Sequence, residues 1–161
     1  MNRAVFLDRD GVINKKRDDY VKNVNEFVML TGASKAIKLL NDKNYLVIIV
    51  TNQSAINRGL LTSEELFRIH KVMSQELEKN GAHVDAIYYC PHRPDEDCQC
   101  RKPKTGMLEK AIQEHFISRK LSWLIGDSES DIAAATQVGI SGVKIKTNGN
   151  ILQVVNRILE K

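Results

Sequence analysis

The chain has 161 residues, 42% hydrophobic and 27% charged, with a net charge of +4 from 24 basic and 20 acidic side chains. That length suits one domain, residues 1–161, with a core large enough to need no staples, and the composition excludes a disordered or collagen-like chain. The mild positive charge suits a small anionic ligand better than nucleic acid, which would call for a concentrated basic patch or an aromatic platform. The longest apolar run, Tyr45–Val50, falls far short of the roughly 20 residues of a spanning helix. Arg3 interrupts the first residues, so neither a membrane partner nor a signal peptide is expected.

In chain order, Ala4–Leu7 is a short apolar run ending in charge and predicts a first strand. Asn14 to Phe27 is polar, then partly apolar, and fits a loop or a small hairpin. Ala33, Ala36, Ile37, Leu39 and Leu40 mark the apolar face of a first helix. Tyr45–Val50 is rich in β-branched residues, the pattern of a strand buried on both faces. Thr62 and Glu65 stand in capping-box spacing ahead of a helical stripe of Leu66, Ile69, Met73 and Leu77, which Asn80-Gly81 closes. Val84–Tyr89 predicts a third strand, and Cys90–Lys104 has no periodicity and holds all three prolines. Met107, Leu108, Ala111 and Ile112 predict a third helix, Leu121–Ile125 a fourth strand, and Ile132–Val138 a helix ended by Gly139. Gly142–Ile145 predicts a fifth strand, and Ile151, Val154, Val155, Ile158 and Leu159 a last helix at i, i+3, i+4, i+7, i+8. This alternation predicts an α/β fold, a Rossmann-like doubly wound parallel sheet with its chemistry at the carboxyl ends of the strands.

Polar clusters follow those strand ends: Asp8-Arg9-Asp10-Gly11, Thr51-Asn52-Gln53-Ser54, and Gly126-Asp127. The first read alone is also a plain turn. Carboxylates converging on one sheet edge repel unless a cation joins them, and oxygen ligands of this kind suit Mg²⁺, which recruits phosphate. Asp131 is either an outer ligand or a first-turn aspartate favoured by the helix dipole.

A second cluster is softer. Cys90, His92, Cys98 and Cys100 place four ligands within eleven residues, a set that suits tetrahedral zinc. Four protein ligands leave no open position, so this zinc is expected to be structural. The plain alternative is three buried cysteines beside a surface histidine. An odd number of cysteines in one segment is a poor disulfide framework and points to a reduced, cytoplasmic protein. His70, His83 and His115 have no such partners and read as surface or packing residues.

The strand leading into Asp8-Arg9-Asp10-Gly11 resembles the first motif of the haloacid dehalogenase-like (HAD-like) phosphohydrolases. Thr51 stands where that family has its motif II threonine, Lys102 where it has its motif III lysine, and Gly126 to Asp131 match the acidic motif IV. The resemblance implies that Asp8 is the nucleophile and Asp10 the acid and base. Thr51 and Lys102 hold the phosphoryl oxygens, and Mg²⁺ sits on Asp8, the Asp10 main-chain carbonyl and Asp127. The Cys-His segment and Thr51 to Gly59 narrow it to the heptose bisphosphate phosphatases, with the histidinol-phosphate phosphatase domain as a close relative. That branch implies substrate contacts from Asn52, Gln53, Ser54, Arg101 and Lys102, with Lys16, Arg17, Asp19 and Tyr20 from the stretch after motif I. Arg101 is expected to act in the reaction beside Lys102.

Two departures stand out. Only five residues separate His92 from Cys98, as in the histidinol type, and Ser128 occupies a position that is usually basic in both relatives, leaving Lys15, Lys16 or Arg17 to supply the charge. No segment between motifs is long enough for a large cap domain. The expectation is a monomeric Mg²⁺-dependent phosphatase acting on a small phosphorylated sugar, removing the C7 phosphate of a heptose 1,7-bisphosphate. A histidinol-phosphate phosphatase is the alternative, a nucleic-acid 3′-end phosphatase of the same superfamily a distant third, and a catalytically dead zinc-stabilised binding module the non-enzyme reading.

Overall fold

Alternate residues of the central strands point to opposite sides, and each side finds its own core. In the computed structural model, which describes residues 1–161, β1 (Ala4–Leu7) sends Val5 and Leu7 to one layer and Ala4 and Phe6 to the other. β2 (Leu46–Asn52) does the same with Val47 and Ile49 against Ile48 and Val50. This period of two is what two buried faces require. The first layer is closed by α1 (Ala33–Asp42), α2 (Ser63–Lys79) and α5 (Leu152–Leu159), the second by α3 (Gly106–Glu114) and α4 (Glu129–Val138).

With β3 (Ala86–Cys90), β4 (Trp123–Gly126) and β5 (Ser141–Lys144), the strands form one all-parallel sheet in the order β3-β2-β1-β4-β5. The chain winds out from β1 in one direction and returns to β4 on its other side. The carboxyl ends of β1 and β4 therefore flank the switch point where such folds bind ligands. The doubly wound α/β sheet is as the sequence predicts.

Element ends differ in informative ways. Leu121 belongs to a 3₁₀ turn at Arg119–Leu121 and is exposed, so β4 starts at Trp123. Residues 8–32 form no hairpin; they hold one 3₁₀ turn, Val24–Glu26, and isolated bridges of Asn14 with Asp10 and Met29. The capping box at Thr62 is half made: the Thr62 hydroxyl accepts from Glu65 N at 3.1 Å, but the Glu65 carboxylate turns to Arg68 at 2.7 Å. The reciprocal box forms at α4 instead, between Ser128 and Asp131. No helix is long and apolar enough to cross a membrane.

Candidate active site

A cavity of about 390 Å³ opens over the carboxyl ends of β1, β2 and β4, with only two hydrophobic residues in its lining. Asp8 directly follows β1 and is tied to the neighbouring strand by its main-chain N–H, which donates to Ile125 O at 3.1 Å. Its carboxylate meets the buried Lys102, whose ammonium lies 3.2 Å from Asp8 Oδ1, 2.6 Å from Asp131 Oδ1 and 2.8 Å from Val50 O. Burial opposes the charge on Lys102, but Asp8 and Asp131 outweigh it and hold the ammonium's pKa above its ordinary value. Burial also pushes the Asp8 carboxyl up to about 7, against the lowering pull of Lys102 and with a further push from the other aspartates.

Ligand oxygens of Asp8, Asp127 and Asp131 lie within 4.8 Å of one another. The Asp131 carboxylate is already occupied by Lys102 through Oδ1 and by the Ser128 N–H and hydroxyl through Oδ2. Asp8 and Asp127 are thus the pair left to face a cation, and two half-buried carboxylates this close fit a hard divalent ion. Asp127 Oδ2 accepts from the Thr147 hydroxyl at 2.9 Å, and Lys16 Nζ stands 3.7 Å away. Gly11, with φ +85°, sits against Asp127 so closely that a Cβ there would drive into the carboxylate.

Asp10 points elsewhere. Its Oδ1 accepts from Arg9 Nη2 at 2.8 Å and Asn14 Nδ2 at 3.0 Å, and its Oδ2 from Gln53 Nε2 at 2.9 Å. Burial alone would raise its pKa, yet Arg9 and these hydrogen bonds hold it below the usual carboxylate range. Arg9 is fully buried and also donates from Nη1 to His70 Nε2 at 3.1 Å. Burial and the Arg9 charge push the His70 imidazole down to about 3, so it is neutral.

The end of β2 and the residues after it stand beside these groups. Thr51 is fully buried, its hydroxyl accepting from Gln53 at 2.9 Å. The Asn52 amide clasps the Lys102 backbone in both directions, accepting from Lys102 N at 3.0 Å and donating to Lys102 O at 3.1 Å. Asn52, Gln53, Ser54, Arg101, Lys16, Arg17 and Tyr20 all line the cavity. Asp19 does not. It is turned outward, paired with Arg17 and Lys22 at 3.0 Å each, and Asp18 lines the cavity in its place. Lys15 also lies outside the lining, whereas Lys16 and Arg17 reach it.

Sequence reasoning gave no role to Arg9, Thr147 or the lining residues Arg58 and Ser130; it read His70 as a surface or packing residue and Ser128 only as a missing charge. Arg58 was findable, since it is the one cation following the polar run after β2. Thr147 was not, because only the fold brings the loop after β5 onto Asp127.

The sulfur cluster forms where β3 ends. Cys90 Sγ lies 3.8 Å from Cys98 Sγ and 2.8 Å from Cys100 Sγ, and His92 Nδ1 lies 3.3 Å from Cys90 and 3.2 Å from Cys100. All three cysteines are free. The Cys90–Cys98 spacing equals the edge, about 3.8 Å, of a tetrahedron built on roughly 2.3 Å Zn–S bonds, while Cys90 and Cys100 lie closer than that edge. The donor set and its convergence fit zinc. Burial pushes the Cys90 thiol up, helped by its contact with Cys100, which is the situation a bound cation reverses. Of the other histidines, His83 is exposed and pairs with Asp85 at 3.3 Å, and His115 packs edge-on to Tyr88.

Residues 99–152 match the family model described as HAD-hydrolase-like. A D-glycero-β-D-manno-heptose-1,7-bisphosphate 7-phosphatase of Pseudomonas putida is 43% identical over 146 residues, 90% of this chain and 83% of that protein. The enzyme of that name from Neisseria meningitidis is 39% identical over 137 residues, 85% of this chain and 73% of its own. The chain belongs to the HAD-like phosphatase family. It is also similar in structure to a D,D-heptose 1,7-bisphosphate phosphatase from B. bronchiseptica complexed with magnesium and phosphate, with TM-score 0.93, 33% identity and 98% of both chains covered. In this phosphatase Asp8, Asp10, Lys102 and Asp127 line one cavity, with Thr51 buried outside its lining, and the sheet has no cap inserted between its strands.

Proposed function

We propose that this phosphatase removes the C7 phosphate of D-glycero-D-manno-heptose 1,7-bisphosphate, working as a reduced cytoplasmic monomer with Mg²⁺ in the oxygen cluster and a structural zinc in the sulfur cluster. The observation that carries the reading is a division of cations. Lys102 is buried against Asp8, while the more exposed Lys16, Arg17, Arg58 and Arg101 line the same cavity, Lys16 nearest Asp127. One anion fits at the floor and a second at the rim, as a bisphosphate requires.

In this reading an Asp8 oxygen attacks phosphorus, and the bond from phosphorus to the C7 oxygen breaks. Asp10 gives its proton to that departing oxygen. The resulting aspartyl-phosphate splits one hard displacement into two easier ones. Asp10 then takes a proton from water as its oxygen attacks phosphorus, the Asp8–phosphorus bond breaks, and inorganic phosphate leaves. In the free cavity Arg9, Asn14 and Gln53 keep Asp10 ionised; an arriving phosphoryl dianion raises its proton affinity, the direction the first step needs. Lys102 and Thr51 steady the phosphoryl oxygens as charge shifts. Mg²⁺, held by Asp8, the Asp10 carbonyl and Asp127, would neutralise charge between the anionic nucleophile and the anionic ester. The rim cations, with Asn52, Gln53, Ser54 and Tyr20, hold the sugar and its remaining phosphate. Lys16, close to Asp127, supplies the charge that Ser128 does not.

Parallel turnover tests this: phosphate release from heptose 1,7-bisphosphate and from histidinol phosphate, with Mg²⁺. The bisphosphate is expected to give the higher kcat/KM. Preference for histidinol phosphate would establish the alternative, and failure of both would leave the binding-module reading.

A further inference from the structure

Arg9 is a fully buried cation whose side chain has two partners, Asp10 Oδ1 at 2.8 Å and His70 Nε2 at 3.1 Å, and whose Nε has none. His70 comes from α2, far along the chain, and lines a different cavity from the one over Asp8. Its Nε2 can accept from Arg9 Nη1 only if it carries a lone pair. A proton there would set an imidazolium against a guanidinium, so the pair works only with neutral His70.

The surroundings of His70 do not ask for an imidazole. Leu66, Ile69, Met73 and Leu77 form the rest of this buried helix face, and a leucine at position 70 would match them. What the ring supplies is an acceptor for Arg9. With one guanidinium N–H already unpaired, His70 and Asp10 are all that fix the plane of that group. Asp10 in turn takes three hydrogen bonds, of which only the one from Arg9 carries a full charge.

We infer that His70 is a positioning residue for the hydrolysis, acting through Arg9 to hold the Asp10 carboxylate in the orientation its proton transfers require. The inference rests on the acid–base role proposed for Asp10. Without His70 the guanidinium loses one of its two hydrogen-bond anchors, and the Asp10 oxygen it holds is less firmly aligned with the departing oxygen of the ester.

The test uses full-length His70→Leu, His70→Gln and Asp10→Asn proteins and two substrates. One is the heptose bisphosphate, whose alkoxide leaving group needs a proton. The other is p-nitrophenyl phosphate, whose leaving group departs without one, so that the nitrophenolate burst reports attack by Asp8 alone. His70→Leu is expected to lower kcat on the sugar phosphate about tenfold, part of what general acid–base catalysis supplies, with KM within twofold and the burst rate within threefold of wild type. His70→Gln, whose amide oxygen reaches the same place as Nε2, should stay within threefold on both. Should His70→Leu not fold, His70→Asn carries the same test, because its amide is too short to reach Arg9. Wild-type kcat in His70→Leu, an equal loss on both substrates, or a glutamine variant as impaired as the leucine one overturns the inference. Asp10→Asn separates the two readings. If it spares the burst and abolishes sugar turnover while His70→Leu changes nothing, only the role of His70 falls; if it too treats both substrates alike, the acid–base assignment falls and the inference with it.

Discussion

The oxygen cluster at the ends of β1 and β4 and the sulfur cluster at the end of β3 are built from opposite materials and assembled in opposite ways. Asp8, Lys102, Asp127 and Asp131 are scattered over most of the chain and meet only because the sheet brings its strand ends together. Cys90, His92, Cys98 and Cys100 come from one loop. The first cluster opens into a polar cavity and leaves Asp8 and Asp127 facing it; the second uses all four ligands on one another. Hard carboxylates suit a cation that shares its shell with phosphate, and soft thiolates suit one that only holds the chain. Yet the two share a segment. Lys102 follows Cys100 by two residues, and Asn52 grips its backbone from β2. The sulfur cluster and the cation buried in the oxygen cluster therefore lie on one short segment.

The largest effect that would break this division is at Asp8, the proposed nucleophile. Asp8→Asn should lower turnover by at least about a thousandfold, because an amide cannot form the aspartyl-phosphate, while zinc content stays unchanged. Activity within tenfold of the parent would remove Asp8 from its role. The same variant reports on charge. Unfolded, Asp8 ionises near 4; folded and metal-free it ionises at about 7. Between those values the native state holds the extra proton, so stability contributed at low pH is lost as pH rises through 7. Melting of the chelator-treated parent should fall over that interval, and the Asn variant should show a shallower slope.

Next in size is the residue that joins the clusters. Lys102→Met leaves Asp8 and Asp131 buried without their counter-charge, a loss of the kind that costs about 3–5 kcal/mol. Denaturant unfolding of the metal-free protein measures it, and Mg²⁺ should recover only the share belonging to Asp8, since Asp131 is turned to Ser128. Full recovery by Mg²⁺ would mean that Asp131 also serves the cation.

Cys98→Ser attacks the other cluster alone. The purified parent should carry about one zinc per chain and the variant none. Loss of about 3 kcal/mol would lower Tm by roughly 6–12 °C for a chain of this size. If the loop is a mount for Lys102, kcat must fall as well, although no residue facing the phosphate has changed. A zinc-free variant with parental kcat at a temperature where it is folded would separate the clusters completely.

How each region reads from sequence follows from how it is assembled. The four residues of the Cys-His cluster lie close enough along the chain for spacing alone to gather them. The strand and helix order was equally legible, because continuous apolar runs mark β1 and β2 and helical apolar stripes mark α2 and α5. The oxygen cluster was readable only through motifs, since nothing local in Lys102 or Asp127 says that they meet. What stayed hidden depends on tertiary contact: Thr147 reaching Asp127 from the loop after β5, and His70 reaching Arg9 from a helix face whose pattern looked uniformly apolar. Asp19 erred for the reverse reason. Neighbouring Arg17 and Lys22 satisfy it locally and draw it off the cavity.

The smallest predicted effect probes the rim, where the two regions meet. Arg101 belongs to both: its main-chain N–H donates to Cys98 Sγ at 3.4 Å, and its side chain lines the cavity. Its guanidinium is held only by a long 3.4 Å hydrogen bond to His92 O, so it can turn to an anion at low cost. Arg101→Ala should cost about 1.5–3 kcal/mol in kcat/KM for the bisphosphate, the scale of a lost charge-assisted hydrogen bond. A sugar monophosphate lacks the distant anion and should lose much less. The contrast is the measurement: a double comparison of two enzymes and two substrates isolates the contact with the second phosphate from any general loosening of the loop, which would penalise both substrates alike. Equal losses would make Arg101 a brace for Lys102 rather than a reader of substrate, and would move recognition of the second phosphate to Lys16, Arg17 and Arg58 on the opposite part of the rim.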